Sequence, residues 1–213
     1  MLIADQKLSP DQERHLYIHL PAHALKLGLA SMILLSTWGC STGDMMDGTP
    51  TEVDRTTYPD VAFGTAEGDA LENHSFAVPG ASTLDFQALR VDEGKKLLLL
   101  STGAGWCGAC REEQDALQEL QDAHAADGLT VLVTLFEDNN SQVADEEFVQ
   151  GWIDQYDVSF DVVLDAPFVM DAYYDSALTP MNMFVDLDTM EIIRITVGFD
   201  RSVVDAIINS ELG

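Results

Sequence analysis

Positive charge is scarce in this sequence. Ten Lys and Arg stand against 37 Asp and Glu, for a formal net charge of -27 at pH 7. Such a chain is repelled by nucleic acid and by anionic membrane surfaces, which argues against both as direct partners. Long apolar runs are missing as well. The uncharged, mostly apolar stretch Leu27 to Trp38 has 12 residues, whereas a bilayer-spanning helix needs about 20. That length suits the hydrophobic region of a signal sequence and not an anchor. Cysteine is sparse too. With three in all, at 40, 107 and 110, the chain has no second cysteine pair to complete a four-ligand zinc site. Its five histidines, at 15, 19, 23, 74 and 124, are not read as completing one.

What is present is a single dithiol motif, Gly105-Trp106-Cys107-Gly108-Ala109-Cys110. It follows the apolar run Leu97 to Leu100 and precedes a helical pattern, so both sulfurs fall where a buried strand turns into a helix. A cysteine at a helix N-terminus faces unpaired backbone N-H groups and the positive end of the helix dipole, which favour thiolate over thiol. Cys107 is therefore expected to be the nucleophile. Cys110, a turn later, is placed to resolve the mixed disulfide that Cys107 forms. Half a zinc site and a purely structural bridge share this spacing and remain the alternatives.

The segment Lys95 to Glu113 resembles the active-site region of thioredoxin-like proteins, most closely the membrane-tethered bacterial TlpA/ResA type. The resemblance runs from about Val78 to the C-terminus. Thr179-Pro180 resembles the family's cis-proline dipeptide facing the dithiol, and Gly198 the glycine after its last strand. The implied fold is a thioredoxin-like three-layer α/β sandwich, a central mixed sheet with helices on both faces. The implied activity is thiol-disulfide exchange with protein substrates, apocytochrome c or other envelope proteins among them, fed by an upstream membrane electron donor. No cofactor beyond the Cys107-Cys110 disulfide is implied, and no metal. Glu113 stands where the TlpA/ResA type often has a glutamate near the dithiol, so it is a candidate to accept or return the Cys110 proton; a solvated first-turn glutamate is the plain alternative. Thr179 and Pro180 join Trp106 as candidate substrate contacts. Trp106 offers a flat apolar surface beside Cys107, against the alternative of a half-buried packing role. Arg111 either supports the thiolate or is a surface arginine, and His74 and His124 read as structural or surface groups. Four positions depart from the family pattern. Ser101 replaces a buried aspartate of cytoplasmic thioredoxins, Thr102 and Gly103 replace aromatics, and Asp115 replaces a helix-kinking proline.

Leu35-Ser36-Thr37-Trp38-Gly39-Cys40 resembles a bacterial lipoprotein signal, in which Cys40 becomes the lipidated N-terminus; ordinary secretion is the second reading and an unprocessed cytoplasmic chain the last. The expected organisation is a signal peptide over residues 1-39, a flexible acidic tether over 40-60 and a thioredoxin-like domain over 61-213. From Cys40 onward 7 Lys and Arg remain against 34 Asp and Glu, so processing leaves the charge imbalance intact. The imbalance suits solubility in a salty or secreted setting, or steering toward a basic partner such as an apocytochrome.

Within the domain, Val61 to Gly80 reads as an irregular edge hairpin. Leu97 to Leu100 and Thr130 to Phe136 read as buried strands and Phe160 to Leu164 as a short one. A helix from Cys107 to about Asp127 places Ala116, Leu117, Leu120, Ala123 and His124 on one face, with Gly128 as its cap. Asp145 to Asp157 is amphipathic through Phe148, Val149, Trp152, Ile153 and Tyr156. A short helix is expected at Pro167 to Tyr174 and a hairpin joins Met181-Val185 to Met190-Val197. Ser202 to Leu212 closes the chain with Val203, Val204, Ile207 and Ile208 inward.

Three functions follow from this reading. The first is an extracytoplasmic, lipid-tethered thiol-disulfide oxidoreductase, leaning toward reductase because Gly108-Ala109 resembles the Gly-Pro of reducing thioredoxins. A binding or redox-sensing module without turnover comes second. Peroxide reduction is third, since the pattern P-x-x-x-T-x-x-C is absent.

Overall fold

The computed structural model describes residues 53-80 and 82-213. The proposed signal peptide, the lipidation site Cys40 and most of the proposed tether lie outside the described residues.

The core of the domain is a strand that the sequence makes apolar on both faces. β3 (Leu97–Gly103) is buried along its whole length, and side chains alternate between faces with a period of two. Leu97 and Leu99 accordingly join one core cluster, with Leu117, Trp152 and Ile208. Leu98 and Leu100 join the other, with Phe86, Leu89 and Met183. β4 (Leu129–Leu135), equally buried, lies parallel to β3 on one side. β6 (Met181–Asp186) lies antiparallel to it on the other, with Ser101 opposite Asn182. β5 (Asp161–Leu164) pairs parallel with β4, and β7 (Ile192–Val197) antiparallel with β6. The hairpin of β1 (Ser75–Val78) and β2 (Ser82–Asp85) completes a seven-stranded sheet in the order β2-β1-β5-β4-β3-β6-β7.

The helices cover the two faces as expected. α1 (Phe86–Arg90) contributes Phe86 and Leu89 to one cluster. α2 (Gly108–Glu112) contributes Cys110 to the other, α3 (Gln114–His124) Leu117 and Leu120, α4 (Glu146–Tyr156) Val149 and Trp152, and α5 (Arg201–Leu212) Val204 and Ile208. Asp145 and Asp200 cap α4 and α5 through side-chain bonds to backbone amides. Gly128, at φ 113°, ends the helical path after His124, a conformation that suits glycine.

Several expectations are corrected. The edge hairpin lies at Ser75 to Asp85, later than 61-80, because its apolar pieces gain a partner in β5. Ala123 is exposed, and so is Val203 at 40%, since α3 and α5 bury narrower stripes than their apolar content suggests. Pro167 does not open a helix. A 3-10 turn, Val169–Tyr173, begins after Phe168 and is capped by the buried Asp165 carboxylate, which accepts from the Val169 and Met170 amides. The domain also begins before residue 61. Arg55 is buried, its guanidinium donating to the carbonyls of Arg90, Asp92 and Lys95 and pairing with Asp188 at 2.6 Å. Composition hides this, because a single arginine carries no periodicity.

Candidate active site

The sequence turns from strand to helix at the C-terminal end of β3, and the dithiol sits at that turn. Cys107 is the N-cap residue of α2 and its Sγ accepts from the Cys110 amide at 3.1 Å. Cys107 and Cys110 form a disulfide with Cα atoms 5.3 Å apart. The first is 5% exposed and the second 1%, so the outer sulfur is Cys107, as its position implies.

Thr179 and Pro180 arrive from the other side. Their peptide bond is cis, and the Thr179 carbonyl lies 3.7 Å from Cys107 Sγ. Gly198, at φ 72°, donates its amide to the Pro180 carbonyl at 2.8 Å. Trp106 is 40% exposed and its Nε1 donates to Glu137 at 2.7 Å, so the ring stands beside the dithiol as a surface group held at one edge. Beneath it runs an aromatic series. Trp106 meets Phe136 edge-on, Phe136 stacks on Phe168 at 3.8 Å, and Phe168 meets Tyr174 edge-on. Tyr174 shares a hydrogen bond of 2.9 Å with the Thr179 hydroxyl, and burial pushes its phenol up to about 12.

Glu113 is not the solvated glutamate of the plain reading. It is 2% exposed, between α2 and α3. Ser101 Oγ donates to one carboxyl oxygen at 2.5 Å and Asn182 Nδ2 to the other at 3.2 Å. Burial raises its pKa to about 7, against the smaller downward pull of those two donors. The site therefore holds a carboxyl able to carry or release a proton near neutral pH, one helical turn beyond Cys110.

Arg111 does not reach the sulfurs by a hydrogen bond. Its guanidinium donates to the Gly105 carbonyl and braces the loop before Cys107. The missing aromatics at 102 and 103 have local replacements. A Cβ at Gly103 would stand 3.1 Å from Cys110 Cβ, so bare backbone packs against that cysteine. Thr102 is buried and accepts from Thr134 at 2.9 Å. His74 bonds Tyr173 at 2.9 Å, and burial holds its pKa below the ordinary value. His124 lies 3.5 Å from Asp127. His15, His19 and His23, spaced four residues apart, lie outside the described residues.

Ser101 and Asn182 are the site residues that sequence reasoning missed in this role. Their one signal was polarity within otherwise apolar strands, at Leu97-Thr102 and Met181-Val185.

A model of the AhpC/TSA family matches residues 72–203, more than half of the chain. Thioredoxin-like protein YneN of Bacillus subtilis (strain 168) is 31% identical over 109 residues, covering 51% of this chain and 59% of that protein. The match thus spans less than two thirds of that relative's length. A thiol:disulfide interchange protein of the thioredoxin family from Chlorobium tepidum TLS superposes with a TM-score of 0.55 at 19% identity, over 70% of this chain and 100% of that one. A thiol:disulfide interchange protein from Bacteroides sp. gives 0.56 at 16% identity, over 70% and 91%. These structures share the fold, and the thioredoxin-like expectation is borne out.

Proposed function

Because the chain belongs to the AhpC/TSA family, we propose that it is a thiol-disulfide oxidoreductase acting on protein substrates through Cys107 and Cys110. The observation that carries this is the outer sulfur at a helix N-cap, beside the Thr179 carbonyl and one turn from a buried carboxyl. In the reducing direction the Cys107 thiolate attacks a substrate disulfide, forming a mixed disulfide and expelling one substrate thiolate. Cys110 gives its proton to Glu113 and attacks Cys107 Sγ, expelling the second. Two electrons leave the dithiol and the Cys107-Cys110 bond forms. A dithiol protein must then return two electrons, the role assigned here to a membrane donor.

The same reading places the protein outside the cytoplasm, tethered through acylated Cys40, with reduction as its direction. The length of Leu27 to Trp38 and the Gly108-Ala109 pair support those finer claims. Among the described residues no helix is long and apolar enough to cross a membrane. The module without turnover is favoured by one observation, the 5% exposure of Cys107.

Cys110→Ser is expected to trap mixed disulfides on Cys107, and Cys107→Ser almost none. Alkylation of the reduced protein at mildly acidic pH should label Cys107 first. If neither variant captures a protein and both thiols label slowly and equally, the dithiol is structural. Insulin reduction and hydrogen peroxide consumption on the same sample separate disulfide exchange from peroxide chemistry. A glutathione redox titration gives the direction.

A further inference from the structure

Glu113 is held by two sheet residues that stand opposite each other in register, Ser101 on β3 and Asn182 on β6. Both are buried. Their donors reach different oxygens of one carboxyl: Ser101 Oγ lies 2.5 Å from Oε1 and Asn182 Nδ2 3.2 Å from Oε2. A third contact fixes which way the Asn182 amide points. The same Nδ2 lies 3.3 Å from the Gly198 carbonyl, which has no proton to offer, so a donor must face it. Turning the amide over would set two oxygens against each other. The orientation is kept although it leaves Asn182 Oδ1 buried without a partner.

An amide N-H only donates. The C=O oxygen of a neutral carboxyl accepts more strongly than its hydroxyl oxygen, so the Asn182 donor at Oε2 favours the proton on Oε1. Ser101 suits that placement because a hydroxyl donates to the carboxylate and, after rotating, accepts from the acid. We propose that Ser101 and Asn182 are positioning residues that favour the Glu113 proton on Oε1, Asn182 by donating to Oε2 and Ser101 by serving both charge states.

The consequence for exchange rests on the reading of Glu113 as proton partner of Cys110. In that step the Cys110 S-H proton passes to Oε1, leaving a thiolate and a neutral acid. Electrons move only when the thiolate attacks Cys107 Sγ. The side chains bonded to the carboxyl are Ser101 from β3 and Asn182 from β6, and Cys110 precedes Glu113 by three residues, about one helical turn. Its sequence neighbours Arg111 and Glu112 are exposed, and no charged side chain of the described residues hydrogen-bonds to it.

The test follows the Glu113 carboxyl by 13C NMR in the reduced full chain, the signal assigned by its loss in Glu113→Gln. Ser101→Ala and Asn182→Ala each remove a donor to the ionised form, so each midpoint should rise by about one pH unit. Ser101→Thr, which keeps the hydroxyl, should restore it. Asn182→Leu replaces Asn182→Ala if the latter does not fold. Unchanged or lowered midpoints in both donor-deleted variants overturn the proposal. If the midpoints rise but the pH profile of Cys110 alkylation in Cys107→Ser does not follow them, the positioning stands and the proton role of Glu113 falls.

Discussion

Glu113 makes the stability of the fold depend on pH, and the sign follows from its burial. Its ordinary value is 4.5 and its value in the fold is about 7. Between the two the unfolded chain has lost a proton that the native chain keeps, so stability falls as pH rises through that window and levels off above about 7. The loss is on the order of 3 kcal/mol. Glutamine has the shape of the protonated acid, its amide N-H facing Ser101 Oγ and its oxygen facing Asn182 Nδ2. Glu113→Gln should therefore lack this decline and exceed the wild type at pH 8, as read by urea unfolding of the oxidised protein at pH 5 and pH 8. His74 and Asp165, whose burial shifts them down and up respectively, titrate in both proteins and cancel from the difference. A slope identical in the two proteins would remove Glu113 as its cause. At this scale the sequence exposed the residues of the dithiol, because a C-x-x-C after an apolar run has its own signature. The glutamate was legible only through its spacing from Cys110. Ser101, Asn182 and Arg55 were not legible, since each acts through a partner at least 12 residues away.

Elements meet at the dithiol through a close approach of two loops. Gly105 donates its amide to the Glu137 carbonyl at 2.8 Å, joining the loop after β3 to the loop after β4. A Cβ at that position would stand 2.6 Å from the Asn139 amide nitrogen and 2.7 Å from the Asp138 carbonyl carbon, both backbone atoms with little room to yield. Gly105→Ala should destabilise by about 1-3 kcal/mol, the usual range for overpacking, and slow exchange by displacing the loop that carries Trp106 and Cys107. Urea unfolding and insulin reduction measure the two effects; unchanged values in both would mean that the loops slide apart freely. Elements with a strong period were readable in advance: β3, β4, α4, the β6-β7 hairpin and α5 fall within a few residues of their expected places. The β1-β2 hairpin was displaced because its four-residue strands have little pattern of their own and depend on β5. The 3-10 turn after Phe168 was misread because Asp165, a buried cap, outweighs the local helix signal of Pro167.

On the scale of the whole molecule the deficit of cations becomes a property of the surface. Arg55 and Arg90 are buried, with their guanidinium groups turned onto backbone carbonyls. Arg194 pairs with Glu67, and Arg201 with Glu119 and Asp205. Little positive charge is thus left to offset the 34 Asp and Glu that follow Cys40. A negative field of this kind accelerates encounter with basic proteins and slows encounter with acidic ones, and salt weakens both effects as the screening length falls to about 10 Å at 0.1 M. The rate of exchange with a positively charged disulfide protein should therefore drop, on the order of tenfold, between 20 mM and 500 mM salt. Exchange with acidic insulin should rise over the same range, and exchange with a small neutral disulfide should stay level. The neutral disulfide controls for any effect of salt on the dithiol itself. If all three respond alike, the acidic surface serves solubility alone and does not select basic substrates.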